Sequence, residues 1–146
     1  DIKKIKGSID NLLDYGLDIE DTASARIEFV NGAKGLLFAT NANSENSSIE
    51  LEVLFEKGKF TIKDSILLET LSDGTQRIVE EDQKLPGTKF YYGASHLKLI
   101  NEFYECIRQN TDRYIHAKEA QVSMEMIEAI RESSESRKEI TMEVYQ

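Results

Sequence analysis

The sequence predicts an α+β fold: a largely antiparallel, open sheet with helices packed on one face. Three observations predict it. The first two-thirds of the chain alternates apolar and polar residues in short runs, the period of half-buried strands. Asn31-Gly32, Lys57-Gly58 and Asp73-Gly74 punctuate those runs as tight turns. Beyond Pro86 the apolar spacing becomes helical, and the chain closes on one more alternating run.

The first run, KIKGSIDNLL, puts Ile5, Gly7 and Ile9 on one side. TASARIEF (Thr22–Phe29) sends Ala23, Ala25, Ile27 and Phe29 one way and Thr22, Ser24, Arg26 and Glu28 the other. Asn31-Gly32 follows, and the pair predicts a type I′ hairpin, which needs positive φ at both central positions. AKGLLFAT (Ala33–Thr40) is the return strand; it is apolar on both faces, which predicts a central place in the sheet. NANSENSS (Asn41–Ser48) is a polar loop. IELEVLF then alternates, with Ile49, Leu51, Val53 and Phe55 on one face, and KFTIK, SILLETL and TQRIVEE complete an antiparallel meander.

Leu97, Ile100, Phe103, Tyr104 and Ile107 predict a helix from Ser95 to about Asn110. Ser95 is placed as its N-cap and Asn110 as its left-handed end. A second helix fits Ala117–Ser136, with Ala120, Met124, Ile127 and Ile130 or Arg131 along its buried stripe. Its glutamates, Glu119, Glu125, Glu128, Glu132 and Glu135, form a solvated face. KEITMEV (Lys138–Val144) closes as a strand.

The bulk properties narrow the function. The 146 residues make one domain, large enough for a core without staples. A net charge of −9 argues against nucleic acid and against an anionic membrane surface. No apolar run reaches the roughly 20 residues that span a bilayer, and the opening DIKKIKGSID has no apolar core of a signal peptide. Cys106 is the one cysteine, so no internal disulfide forms; a reducing, cytoplasmic setting is expected, with Cys106 in a helix interior. The chain opens at Asp1 rather than at methionine, which suggests a processed protein or a piece of a longer one.

Motifs for chemistry are few. The sequence has no Walker A loop, no G-x-G-x-x-G, no C-x-x-C and no H-E-x-x-H, and His96 and His116 lie 20 positions apart, so neither a dinucleotide site nor a metal site is expected. His96 stands in the first turn of a helix, after Tyr91, Tyr92 and Gly93. An aromatic, a glycine and a histidine at a helix start suit contact with a polyol or a carboxylate, but a capping loop whose tyrosines pack on a sheet edge accounts for them better. Asn41, Asn43, Asn46 and Ser47 supply amides and a hydroxyl that suit sugar hydroxyls or plain solvation. Helices cover only one face of a sheet, so the two-sided apolar strands mark the open face for self-association, as in a symmetric dimer.

The order of these pieces resembles a known domain. DIEDTASARIEFVNGAKGLLFAT, FEKGKFTI, SHLKLINEFYECIRQN and AKEAQVSMEMIEAIRESSESRKEITM together resemble the C-terminal domain of the Gfo/Idh/MocA oxidoreductases, from about Asp18 to Met142. The resemblance implies a single domain over residues 1–146 that is half of a two-domain NAD(P)-dependent enzyme acting on a sugar, inositol or related polyol. In such enzymes a Rossmann domain holds NAD or NADP and carries a lysine in an E-K-P motif, and hydride moves between the nicotinamide C4 and a carbinol carbon. The C-terminal domain walls the substrate cleft and forms dimers or tetramers through its open sheet face. The Rossmann half and the helix with the catalytic aspartate and histidine are absent here, so no catalytic or cofactor-binding residue maps onto this chain and the chain alone is expected to be inactive. His96 matches a position that faces substrate in several members, and the Asn41–Ser48 loop matches a segment that approaches it; His96, Tyr92 and Asn43 are therefore the expected substrate contacts. Two other readings fit the same fold: a free-standing sheet-mediated interaction module, and a small-molecule-binding protein without redox activity.

Overall fold

The computed structural model describes residues 1–13, 16, 19–44, 47–83, 86 and 94–142. The fold is α+β, as the periodicities predict. Among the described residues eight strands form two four-stranded sheets, and every strand pair is antiparallel. The chain divides into two compact units, Asp1–Glu45 with His116–Gln146, and Asn46–Ile115.

The first unit holds β1 (Ile2–Asp10), β2 (Thr22–Phe29), β3 (Lys34–Thr40), a 3₁₀ turn (Ala117–Ala120), helix α2 (Gln121–Ser136) and β8 (Ile140–Thr141). Its sheet runs β3-β2-β1-β8. The pairings Ile5↔Ile27, Gly7↔Ala25, Ala25↔Leu37 and Ile5↔Ile140 gather the apolar side chains on one face. There they meet α2 in a core of Ile2, Ile5, Ala25, Ile27, Ala129 and Ile130, flanked by Ile9, Leu37 and Met126.

Two expectations are corrected in this unit. The buried stripe of α2 is Met126, Ala129, Ile130 and Ser133, while Met124 and Ile127 are exposed. This stripe lies close against β1: a Cβ on Gly7 would stand 2.9 Å from Ile130 Cγ2. β3 sits at the edge of its sheet, not at the centre. Its second apolar face is exposed, with Leu36 at 88% and Phe38 at 72%, and lies beside Arg26 and Ser24 on the face away from α2.

The other edge of this sheet is closed by hydroxyls. β8 reaches only Lys4 and Ile5 of β1. Beyond it, the Gly7 N–H donates to Ser133 Oγ at 3.0 Å and the Ile9 N–H to Ser134 Oγ at 3.0 Å. Ser133 is fully buried and passes its own proton to the Lys138 carbonyl at 2.5 Å. The chain turns from α2 into β8 through Arg137, whose φ of 57° is left-handed.

The second unit holds β4 (Leu51–Phe55), β5 (Gly58–Lys63), β6 (Ile66–Leu71), β7 (Gln76–Glu81) and helix α1 (Ser95–Arg108), the strands in sequence order. Cross-strand rows Leu51–Ile62–Leu67, Val53–Phe60–Glu69 and Phe55–Gly58–Leu71 put most of its apolar side chains on one face. Leu51, Val53, Phe55, Ile62 and Leu71 on that face are exposed. The alternation read in IELEVLF is thus borne out, and the face it defines is open in the single chain.

The turns differ from their expected types. Asn31 has no positive φ; only Gly32 does, at 86°. Gly32 N–H bonds the Phe29 carbonyl and Phe29 N–H the Ala33 carbonyl, both at 2.9 Å, which makes a three-residue loop ending in a left-handed glycine. Asp73-Gly74 repeats that geometry between Leu71 and Thr75. The two-residue turn with both central φ positive lies at Asp64 (52°) and Ser65 (67°), where no glycine announces it.

Replacing Gly7 by alanine drives a methyl into Ile130 at 2.9–3.0 Å. The expected loss is about 1–3 kcal/mol of unfolding free energy, seen as a lower denaturant midpoint with unchanged slope. An unchanged midpoint would show that α2 can retreat from β1 at no cost.

Candidate functional site

The residues proposed from sequence fall in two places. Asn43 is exposed in the segment that follows β3 in the first unit. His96 is the second residue of α1, exposed, in the second unit. Tyr92, like Tyr91, Gly93 and Asn46, lies outside the described residues.

The Asn43 segment hangs from a carboxylate that sequence reading passed over. Asp21 accepts the Leu12 N–H at 2.9 and 3.0 Å, the Leu13 N–H at 2.8 Å and the Thr22 hydroxyl at 2.9 Å. Thr22 has then spent its proton, so at 2.8 Å it is Thr40 that donates to Thr22; Thr40 Oγ1 in turn receives the Ala42 N–H at 2.9 Å. The Asp21 carbonyl takes the Asn41 N–H at 2.7 Å. The Asp21 carboxylate thus anchors the segment after β1, while the Asp21 carbonyl and the Thr22–Thr40 hydroxyl pair anchor the segment after β3, at the same end of the sheet. The Leu12 amide, helped by the Leu13 amide and the Thr22 hydroxyl, outweighs partial desolvation and holds the Asp21 carboxyl below the ordinary aspartate range. The signal available in the sequence was the acid-threonine pair directly ahead of a strand.

The start of α1 is a correction. Ser95 is the first helical residue, not the cap; the cap position is Ala94, which has no side chain to offer. Capping comes from a distance: Asp82, just beyond β7, accepts the Ser95 N–H at 3.1 Å through Oδ2, and its Oδ1 lies 3.6 Å from Lys98 Nζ. Desolvation pushes the Asp82 carboxyl up, but the Gln83 and Ser95 amides and Lys98 prevail and hold it below the usual range. No local pattern marks Asp82, since its partner lies 13 positions on. The other end of α1 is as expected: Asn110 is left-handed at φ 51°, and Thr111 N–H reaches back to the Cys106 carbonyl at 2.9 Å. Cys106 is 3% exposed, in keeping with a packing role. The stripe of Leu97, Ile100, Tyr104 and Ile107 stays exposed, and Phe103 meets Tyr104 and Tyr114 edge-on at 5.5 and 5.0 Å.

His116 caps the 3₁₀ turn, its N–H donating to the Glu119 carboxylate at 2.6 Å. Among the described residues no group of three or more His, Cys, Asp or Glu side chains could hold a metal ion. No helix among them is long and apolar enough to cross a membrane. The described residues do not fit a nicotinamide dinucleotide: all their strand pairs are antiparallel, so they contain no parallel strand-helix-strand crevice whose helix start could take a pyrophosphate.

Among the described residues, two antiparallel sheets, one backed by a helix, make an α+β fold with polar groups at a loop and a helix start and no dinucleotide crevice. The family description "Oxidoreductase family, C-terminal alpha/beta domain" matches residues 4–144, so the chain belongs to the Gfo/Idh/MocA oxidoreductase family as its C-terminal domain. Solved structures share the fold at low identity. An oxidoreductase from Agrobacterium radiobacter, in complex with NAD+, L-tartaric acid and magnesium, is 14% identical with a TM-score of 0.80, over 97% of this chain and 43% of that one. An oxidoreductase domain protein from Kribbella flavida is 16% identical with a TM-score of 0.78, over 98% and 45%. A levoglucosan dehydrogenase, in complex with NADH and levoglucosan, is 19% identical with a TM-score of 0.76, over 99% and 46%. The chain spans less than half the length of each. Among curated proteins none matches the sequence.

The ionised Asp21 carboxylate stabilises the fold at pH values above the ordinary aspartate pKa of about 3.9, and that contribution is lost as pH falls through the lower folded-state value. Melting temperature should therefore fall more steeply with acid in the natural chain than in Asp21→Asn, which lacks the titrating group. Parallel pH curves would remove Asp21 from the account.

Proposed function

We propose that this chain is the substrate-side domain of an NAD- or NADP-dependent dehydrogenase acting on a sugar, inositol or related polyol. The observation that carries the reading is the family match over residues 4–144. Support comes from the relatives, one in complex with NAD+ and L-tartaric acid and another with NADH and levoglucosan. In this reading His96, Tyr92 and Asn43 hydrogen-bond substrate hydroxyls. Asp21 fixes the backbone that carries Asn43, and Asp82 fixes the helix start that carries His96. Cofactor binding and proton transfer belong to a partner domain outside this chain. A buried lone thiol at Cys106 suits a reducing, cytoplasmic compartment.

Two preparations test this. The chain alone, given NAD+ or NADP+ with myo-inositol or levoglucosan, should form no reduced nicotinamide. The protein extended through the reading frame upstream of Asp1 should reduce NAD+ or NADP+ with a polyol, and His96→Ala should raise its KM more than it lowers kcat. Turnover by the chain alone, or none by the extended protein with any polyol, would sink the reading in favour of a binding or interaction module.

The open apolar face of the β4–β7 sheet is the proposed self-association surface. Its rows of Leu51, Val53, Phe55, Phe60, Ile62, Leu67 and Leu71 are the kind of surface a symmetric dimer or tetramer covers. Sedimentation should show a dimer or tetramer, and Val53→Asp should yield a folded monomer. A natural chain that sediments as a monomer would remove this role.

A further inference from the structure

Two turns of the chain share one geometry and differ in one chemical group. In the β2–β3 hairpin the Phe29 N–H donates to the Ala33 carbonyl at 2.9 Å, the Gly32 N–H to the Phe29 carbonyl at 2.9 Å, and the Ala33 N–H to Asn31 Oδ1 at 3.1 Å. In the β6–β7 hairpin the Leu71 N–H donates to the Thr75 carbonyl at 2.9 Å, the Gly74 N–H to the Leu71 carbonyl at 2.9 Å, and the Thr75 N–H to Asp73 Oδ1 at 2.8 Å. Gly32 and Gly74 have the same left-handed φ of 86°. The side chain that accepts the turn amide is a carboxamide in the first hairpin and a carboxylate in the second. The β6–β7 turn therefore shows the form the β2–β3 turn would take if Asn31 lost its side-chain nitrogen.

The conditions for that loss are met at Asn31. It is the one asparagine in the sequence that precedes a glycine. The nucleophile is the backbone nitrogen of the following residue, and a following side chain hinders its approach. Gly32 has none, and the space a Cβ would fill there is open to 4 Å. Both residues are exposed, so water reaches them. The bond from the Gly32 N–H to the Phe29 carbonyl must open first, and opening costs least at an exposed turn.

We propose that Asn31 is a site of spontaneous deamidation, and that the hairpin steers the reaction to aspartate rather than isoaspartate. The Gly32 nitrogen forms a bond to Asn31 Cγ, and Nδ2 leaves as ammonia with the proton from the Gly32 amide. The cyclic imide then takes up one water. Breaking the bond from Cγ to the Gly32 nitrogen gives aspartate; breaking the main-chain bond gives isoaspartate, whose backbone runs through the former side chain. Nothing is oxidised or reduced. Only the first outcome restores the three turn bonds, and a carboxylate accepts an amide more strongly than a carboxamide does. The Thr75 amide shows this at the second turn, where it holds the Asp73 carboxyl below the ordinary aspartate range.

The test ages the natural chain in mildly alkaline buffer made with water labelled with oxygen-18. A form with one further negative charge should appear on isoelectric focusing, and peptide mapping should place a single heavy oxygen at Asn31. Aspartate should be the larger share in the folded chain and isoaspartate the larger share in the same chain unfolded in urea. Asn31→Gln should lose the acidic form. Asn31→Asp should keep a denaturant midpoint at or above that of the natural chain. A natural chain that stays one charge form would overturn the proposal. So would an acidic form that persists in Asn31→Gln, the same product ratio with and without urea, or a lower midpoint in Asn31→Asp.

Discussion

One buried hydroxyl closes the first unit. Ser133 Oγ takes the Gly7 N–H and gives its proton to the Lys138 carbonyl, so a single side chain joins β1, α2 and the turn into β8. Each bond adds a net of about 1 kcal/mol, and a buried amide left without it would cost about 1–3 kcal/mol. The arrangement stands where β8 begins: Ile140 pairs with Ile5, and Gly7 and Ile9 lie beyond that pair. The amides that a longer strand would have taken are met by Ser133 and Ser134, which also deny that edge to another chain. Gly7 makes the approach possible, since any larger residue would strike Ile130.

The parts of the fold legible in the sequence were those set by local pattern. Alternation in TASARIEF and IELEVLF gave the right faces, and both helices lie where their spacing put them. The misreadings came from interactions that pattern does not encode. α2 turns Met126, Ala129, Ile130 and Ser133 to the sheet instead of Met124 and Ile127, and Ile130 packs directly on Gly7. β3 looked central because both its faces are apolar, yet Leu36 and Phe38 look outward from an edge strand. Asn31-Gly32 announced a turn correctly but not its type, since Val30 extends the loop to three residues. Of the candidate site, the sequence offered His96 and Asn43 but neither aspartate that holds their backbones. Both act on amides supplied by other segments, which only the fold brings near.

Those two aspartates change the meaning of the chain's acidity. Read from composition, a net charge of −9 speaks of solubility and of partners excluded. In the structure, Asp21 and Asp82 each receive backbone N–H groups where a strand end or a helix start would leave them unpaired. The fold is retained in solved structures only 14–19% identical to this chain.

The Gly7–Ser133 bond also orders events in time. It spans 126 positions, so β1 cannot complete its surroundings until Ser133 has been made. The second unit, by contrast, is a run of neighbouring hairpins within Asn46–Ile115, each closed over a few residues. Short loops close early and long ones late, because chain entropy opposes distant contacts until many can form together. The β4–β7 meander, like the β2–β3 hairpin, therefore closes locally and can form before α2 packs on β1. The apolar face of β1 and β2 waits for α2, Gln121–Ser136, to cover it.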